Sequence, residues 1–310
     1  MEKINVLSLF DGISCGHIAL DKAGIPINKY YASEIDKYAI KVTNKNYPET
    51  INLGDVTTVS GELFTEKIDL LIGGSPCQGF SQAGKMKNFD DPRSKLFWEY
   101  VRILQEVKPK YFLLENVVMK QEWQDIISEA LGVKPIMIDS SLTSAATRKR
   151  LYWTNIPGVG QPEDLGITFG DIRERDVQEG SIYYTDKGLD WIHRHEKRTG
   201  KTLRIIGDSD KMQMLEASMY KKYSSQRFFG IEDTHGLRYI TVTECERCMN
   251  VPDGYTDCCS NTQRYKQLGN GWEVNTITHI FKNLKKELSL PLAKEAMMRF
   301  KEELLQELRQ

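Results

Sequence analysis

Along the first 155 residues, short runs of β-branched and aliphatic side chains alternate with stretches whose apolar positions recur every three or four residues. The apolar runs are Asn5 to Phe10, Lys29 to Glu34, Asp69 to Gly73 and Tyr111 to Leu114. Between and after them lie the amphipathic stretches Gly16 to Ala23, Lys37 to Asn46, Phe97 to Val107 and Gln124 to Leu131. Strand and helix in alternation predict an α/β fold whose parallel sheet is covered by helices on both faces. Ligands on such sheets bind beyond the carboxyl ends of the strands, so the loops that follow strands are where chemistry is sought.

The pattern changes at Pro157-Gly158, after the strand-like Leu151 to Thr154, and stays changed until Arg238. Residues 157 to 186 hold 2 basic and 7 acidic side chains, whereas 187 to 227 hold 10 basic and 5 acidic. The basic half interleaves His193, Arg194, His195, Lys197 and Arg198, then Lys221, Lys222 and Arg227, with Tyr220, Tyr223 and Phe228. That mixture suits phosphate contact and base stacking; a solvated face of a small lobe has the same composition. From Tyr239 a helical pattern resumes. Thr243 with Glu246 three residues on predicts a capping box. Gly269-Asn270-Gly271 predicts a break, and Val274 to Leu288 a second helix. Pro291 is expected to restart a helix whose stripe Met297, Phe300, Leu304, Leu308 packs on its own domain. The chain therefore divides into 1–156, 157–238 and 239–310.

Composition narrows the classes. Within 310 residues, 42 Lys plus Arg nearly cancel 43 Asp plus Glu, so any binding to a polyanion must come from a local patch. The longest apolar stretches fall short of the about 18 residues that a membrane helix needs. Met1-Glu2-Lys3 leads directly into the first strand without a signal-peptide pattern, which predicts a cytoplasmic protein. Six cysteines at this length suit a reducing compartment. Cys245-x-x-Cys248 with Cys258-Cys259 is a poor zinc set, since adjacent cysteines rarely chelate one ion, and no metal is expected.

The loop after the first strand, Phe10-Asp11-Gly12-Ile13-Ser14-Cys15-Gly16, joins a strand to a helix N-terminus through small residues that let backbone amides approach a ligand. It lacks the full dinucleotide spacing, so a smaller adenosine-bearing cofactor is expected. Glu34, at the end of the second strand, can accept from ribose hydroxyls, and Asp55, where a third strand would end, from an adenine amino group. Gly73-Gly74-Ser75-Pro76-Cys77-Gln78-Gly79 follows the strand ending at Ile72. A cysteine after proline in a glycine-dense loop is exposed enough to react and rigid enough to aim; a buried filler cysteine fits that setting poorly. Leu114-Glu115-Asn116 puts a carboxylate at the same rim, where partial burial suits a proton donor. Arg148 and Arg150 alternate with Lys149 and so share one face of a strand, making an anion-friendly pocket.

In order, LFDGISCG, SEID, GDV, GGSPCQGFSQAGK, LLENV, TSAATRKRLYW, TVTECERCMNVPDGYT and QLGNGWEVN resemble the motif series of the DNA 5-cytosine methyltransferases. The resemblance runs from Val6 to Phe281 and leaves 157–238 and the tail uncovered. Leu9-Phe10-Asp11-Gly12, Ser14 and Ser144-Ala145-Ala146 are most similar to de novo-type catalytic domains, while the loop after Cys77 looks like the bacterial and phage enzymes.

This resemblance implies a Rossmann-like, S-adenosylmethionine-dependent sheet with a small target-recognition lobe at 157–238. It implies that the Cys77 thiolate adds to carbon 6 of a cytosine flipped from duplex DNA. Protonated Glu115 would donate to ring nitrogen 3, Arg150 would hold the exocyclic oxygen, and Arg148 would shape the thiolate pocket. The cofactor would lie among Phe10, Asp11, Gly12, Ile13, Ser14, Cys15, Glu34, Ile35, Asp55, Val56, Pro76, Asn270, Gly271 and Trp272. The Gln78 to Leu96 loop would close over the base, with Gln78, Ser81, Lys85, Lys87 and Arg93 toward DNA. Lys197, Arg198, Lys221, Lys222 and Arg227 would contact DNA from the lobe. The setting implied is the cytoplasm of a prokaryotic or phage-infected cell, at the nucleoid, with a restriction endonuclease partner open and the oligomeric state unassigned. The nearest rival is the same chemistry on a tRNA cytosine, whose Cys-Phe-Thr signature is not found in the lobe. A catalytically silent DNA-binding regulator would lack the nucleophile or the glutamate, and both are present here.

Overall fold

The computed structural model describes residues 1–75, 95–222 and 228–307, and the side chains only as far as residue 290. Pro76, Cys77, Gln78, Ser81, Lys85, Lys87, Arg93 and Arg227, with nearly all of the expected closing loop, lie outside the described residues, as do the side chains of the tail stripe.

The elements in chain order are β1 (Ile4–Leu9), α1 (Cys15–Ala23), β2 (Ile27–Ser33), α2 (Lys37–Asn46), β3 (Ile51–Asn52), β4 (Leu70–Gly73), α3 (Lys95–Val107), β5 (Tyr111–Val117), α4 (Gln121–Leu131), β6 (Ile136–Asp139) and β7 (Lys149–Thr154). There follow α5 (Phe169–Ile172), α6 (Asp186–Thr199), β8 (Arg204–Ile205), β9 (Phe229–Asp233), β10 (Gly236–Arg238), α7 (Val242–Cys248), α8 (Asn261–Asn270) and α9 (Val274–Glu307).

Seven strands form the main sheet in the order β3-β2-β1-β4-β5-β7-β6. Side-chain alternation sorts each strand onto two cores. Val6, Ile72, Leu113 and Tyr152 face one cluster, and Leu7, Leu71, Leu114 and Trp153 the other. The expectation of an all-parallel sheet needs correction: β7 runs antiparallel to both β5 and β6. A strand that reverses brings its first residues to the rim where β5 ends, and Arg150 pairs with Val117.

Residues 157–238 add a three-stranded sheet, β10-β9-β8, and the helices α5 and α6. Their apolar side chains, among them Phe169, Met212, Leu215, Phe229 and Ile231, join the cluster on the first face of the main sheet. Arg238 closes this part. Its buried guanidinium donates to both carboxylate oxygens of Glu244 (2.7 and 2.9 Å), to Asp233, and to the carbonyls of Glu174 and Tyr239.

Three local expectations change near the C-terminus. The capping box of α7 is Thr241 with Glu244, two residues before the expected pair. Both pairs have the spacing and both glutamates are buried, but Glu246 accepts from Gly254 N, Thr256 and Arg264, whereas Glu244 accepts from Thr241 N. The break predicted at Gly269 begins only at Gly271, because α8 continues to Asn270. Finally, α9 runs through Pro291 without restarting, at the loss of the one backbone bond a proline cannot donate. Cys245 and Cys248 are core thiols whose burial pushes both above the ordinary range. No helix among the described residues is long and apolar enough to cross a membrane.

Candidate active site

The loop from β1 to α1 coils tightly because Phe10, Gly12 and Ser14 all have positive φ (57°, 62° and 58°). The strain at Phe10 and Ser14, which are not glycines, is held by its surroundings. Glu34 Oε2 accepts from Gly12 N at 2.8 Å, and Glu34 Oε1 from the amides of Ile35 and Asp36, each at 2.8 Å. The carboxylate expected at the ribose thus also clamps the glycine loop, and each oxygen can still accept. Asp11 accepts from Tyr30 Oη (2.7 Å) and from the Ser14 hydroxyl. Burial outweighs these bonds and pushes its carboxyl up to about 6. The Cys15 thiol, buried at the head of α1, is pushed up to about 12 for the same reason.

Phe10, Asp11, Gly12, Cys15, Glu34 and Asp36 line a cavity of about 360 Å³, within the usual range for a small-molecule site. Glu115, Arg148, Arg150 and Trp272 line the same cavity. Glu115 Oε1 is 2.9 Å from Arg150 Nε, and Glu115 Oε2 accepts from Trp272 Nε1 at 3.1 Å. Asn116 Nδ2 donates to Ser75 Oγ (3.3 Å), tying the end of β5 to the residue where the cysteine loop departs.

Arg148 lines the cavity and is held by backbone carbonyls. Its terminal nitrogens donate to the carbonyls of Leu215 (3.2 Å), Gly269 (3.3 Å) and Gly271 (2.8 Å). The side chain is a strut joining the sheet, the turn before α9 and the 157–238 segment. Burial first, then the neighbouring Arg150, lowers it to about 10.

Of the expected cofactor residues, Phe10, Asp11, Gly12, Ile13, Cys15, Glu34, Asn270, Gly271 and Trp272 line the cavity. Ser14, Ile35, Asp55 and Val56 do not. Ser14 is buried beneath the loop against Thr43, and Ile35 is 73% exposed. Asp55 caps a short turn by accepting from Thr57 N, and Val56 packs into the second core. Gly74, Ser75, Asn116 and Gln267 line the cavity without having been singled out. All four lie within the quoted motifs, Gln267 as the first residue of QLGNGWEVN, one helical turn before Gly271.

Of the expected DNA contacts, Lys197 and Arg198 are exposed at the end of α6, beside a stack of Trp191 on His195 (4.9 Å). Lys221 is exposed over the Tyr220 ring. Lys222 is not free: it is half-buried against the Ser181 carbonyl, and burial lowers its ammonium.

Residues 4–125 and 150–286 match the family model described as C-5 cytosine-specific DNA methylase. The chain belongs to this family. It is 46% identical over 208 residues to the orphan methyltransferase M.Rho11sI of Bacillus phage rho11s, covering 66% of this chain and 40% of that protein. It is 39% identical over 178 residues to the orphan methyltransferase M.SPRI of Bacillus phage SPR, covering 53% and 39%. The chain spans only about 40% of the length of these two phage proteins. The type II methyltransferase M.HpaII of Haemophilus parainfluenzae is 27% identical over 327 residues, with 93% and 90% covered. Among solved structures, the Entamoeba histolytica methyltransferase EhMeth superposes with a TM-score of 0.77 at 20% identity, covering 93% of this chain and 99% of that one. A Spodoptera frugiperda DNMT2 mutant does so with 0.73 at 22%, covering 91% and 99%. The fold of this C-5 cytosine methylase family member is accordingly the Rossmann-like methyltransferase sheet.

Proposed function

We propose that this chain transfers a methyl group from S-adenosylmethionine to carbon 5 of a cytosine flipped out of duplex DNA. What carries the reading is that Glu115, braced by Arg150, faces the same cavity as the glycine loop and Glu34. The family match supports cytosine as the target, and its description favours DNA.

The donor set suits the cofactor. Asp11 is acidic, hydrogen-bonded by two hydroxyls and part of no ion pair among the described residues, which fits a ligand ammonium. The Gly12 loop and Glu34 fit a ribose, and Phe10 and Trp272 provide apolar walls. When bound, S-adenosylmethionine supplies an electrophilic methyl group.

The chain's own residues prepare carbon 5 to accept it. The Cys77 thiolate forms a bond to carbon 6. The ring electrons move toward nitrogen 3, which takes a proton from Glu115, while Arg150 holds the exocyclic oxygen. After transfer, solvent takes the carbon 5 proton, the carbon 6–sulfur bond breaks to release the thiolate, and Glu115 recovers its proton from nitrogen 3. Flipping the base costs a few kcal/mol of unstacking, which contacts in the pocket offset. Lys197, Arg198 and Lys221 provide exposed positive charge for the backbone.

Duplex DNA and tRNA, each incubated with labelled cofactor, test the substrate: label in DNA alone is expected, and label in tRNA alone would reassign it. Cys77→Ala is expected to abolish transfer while cofactor binding persists, and duplex DNA carrying 5-fluorocytosine should leave a stable adduct on Cys77. Transfer by the Cys77→Ala variant would remove the nucleophile from the scheme.

A further inference from the structure

We infer that Trp272 is a positioning residue for Glu115, fixing which carboxyl oxygen carries the proton given to the base. This rests on the acid role proposed for Glu115 and deepens it. The indole N–H can only donate, so the oxygen it engages, Oε2, must remain an acceptor. The bond holds Oε2 in the acceptor role and so favours the acidic proton on Oε1, the oxygen that Arg150 otherwise grips. When Arg150 turns to the exocyclic oxygen of a cytosine, Oε1 is released to hold the proton and pass it to ring nitrogen 3. One neutral and one cationic donor thus divide the carboxyl into a fixed side and a working side.

The backbone around the pair is shaped for it. A Cβ at Gly74 would lie 2.8 Å from Trp272 Nε1 and 3.0 Å from Glu115 Oε2, so a side chain there would displace the bond. A Cβ at Gly16 would meet Ile72 first, at 2.5 Å, and would only touch the far edge of the indole, at 3.5 Å. The absence of a side chain at Gly74 leaves room for the ring, whose polar atom ends on the carboxylate.

The test uses exchange of the carbon 5 hydrogen with solvent, which needs addition at carbon 6 and protonation at nitrogen 3 but no methyl donor. Tritium release from genomic DNA labelled at cytosine carbon 5 is measured for the wild-type chain and for Trp272→Phe, with cofactor affinity measured separately by calorimetry. Exchange is expected to fall about tenfold or more, part of the about 10²- to 10⁴-fold that general acid catalysis contributes, while cofactor affinity falls by a smaller factor, because most of the aromatic wall is kept. Replacement of residue 272 by benzothienylalanine, which keeps the indole shape and lacks the N–H, should behave alike and covers a folding defect in the phenylalanine variant. Unchanged exchange in either variant that folds overturns the positioning role. Glu115→Gln with wild-type exchange, or no exchange by the wild-type chain, would instead overturn the underlying function.

Discussion

Arg150 Nε lies 2.9 Å from Glu115 Oε1 because the two residues sit one diagonal apart on the same face of the antiparallel pair β5 and β7. A parallel β7 would carry the arginines to the far end of the sheet. With Glu115 only 11% exposed at its side chain, removing its partner leaves a nearly buried carboxylate. Arg150→Ala is therefore expected to lower methyl transfer by about 10²- to 10³-fold and stability by about 3 kcal/mol. Arg150→Lys, a point charge without the planar fork, should fall between. Single-turnover transfer and urea denaturation measure the two effects, and an undiminished rate in Arg150→Ala would exclude it from the base pocket.

Much of this site could be read from the order of residues, since strand-end loops announce themselves by small residues after apolar runs. Glu115, Glu34 and the Phe10 to Cys15 loop were legible that way. The reversal of β7 was not, because the side-chain period of a strand is the same in either direction. The strut role of Arg148 was hidden for a related reason: its acceptors are backbone carbonyls at 215, 269 and 271, which no sequence pattern marks. The capping box moved from Thr243 to Thr241 because the motif occurs twice in register, and only the distant partners of Glu246, at Gly254, Thr256 and Arg264, decide between them.

Asp11 gives a pH dependence opposite to that of most carboxylates. Burial raises it from 3.8 to about 6, so between those values the folded chain binds more protons than the unfolded one. Stability of the ligand-free protein should then fall, through this group, as pH rises across that window. Asp11→Asn removes the slope and is expected to melt higher than wild type at pH 7. It should also bind S-adenosylmethionine more weakly, since an amide cannot balance an ammonium. Melting curves at pH 5 and 7, with and without cofactor, check this. A variant with the wild-type slope would show that another group sets it.

Arg238 uses all five of its donors in a setting without solvent, its side chain and that of Glu244 both 0% exposed. Arg238→Met would leave Glu244 and Asp233 buried without a cation, and a loss of about 3 to 5 kcal/mol is expected. Adding Glu244→Gln and Asp233→Asn should recover part of the loss, because neutral amides tolerate burial better than unpaired charges. Denaturant unfolding of the single and triple variants checks this. Equal stability of the two would mean that the charges are solvated through opening of the β9–β10 edge.

Gly269 is where the 157–238 segment and the cavity meet. A Cβ at this position would collide with the backbone of Glu216 and Ala217, which cannot yield as a flexible side chain can. The adjoining carbonyls are those that Arg148 grips, so a shift of the 215–217 strip also disturbs the turn at Gly271 that lines the cavity. Gly269→Ala is expected to destabilise the chain by about 2 kcal/mol or more, as overpacking against fixed neighbours does. It should also weaken cofactor binding, although residue 269 presents no side chain to it. Gly160→Ala, with nothing within 4 Å of the added carbon, is the control and should be close to neutral. Thermal melts and cofactor titration of both variants check the pair of effects. Loss of stability without loss of cofactor affinity would show that the docked strip and the cavity are independent.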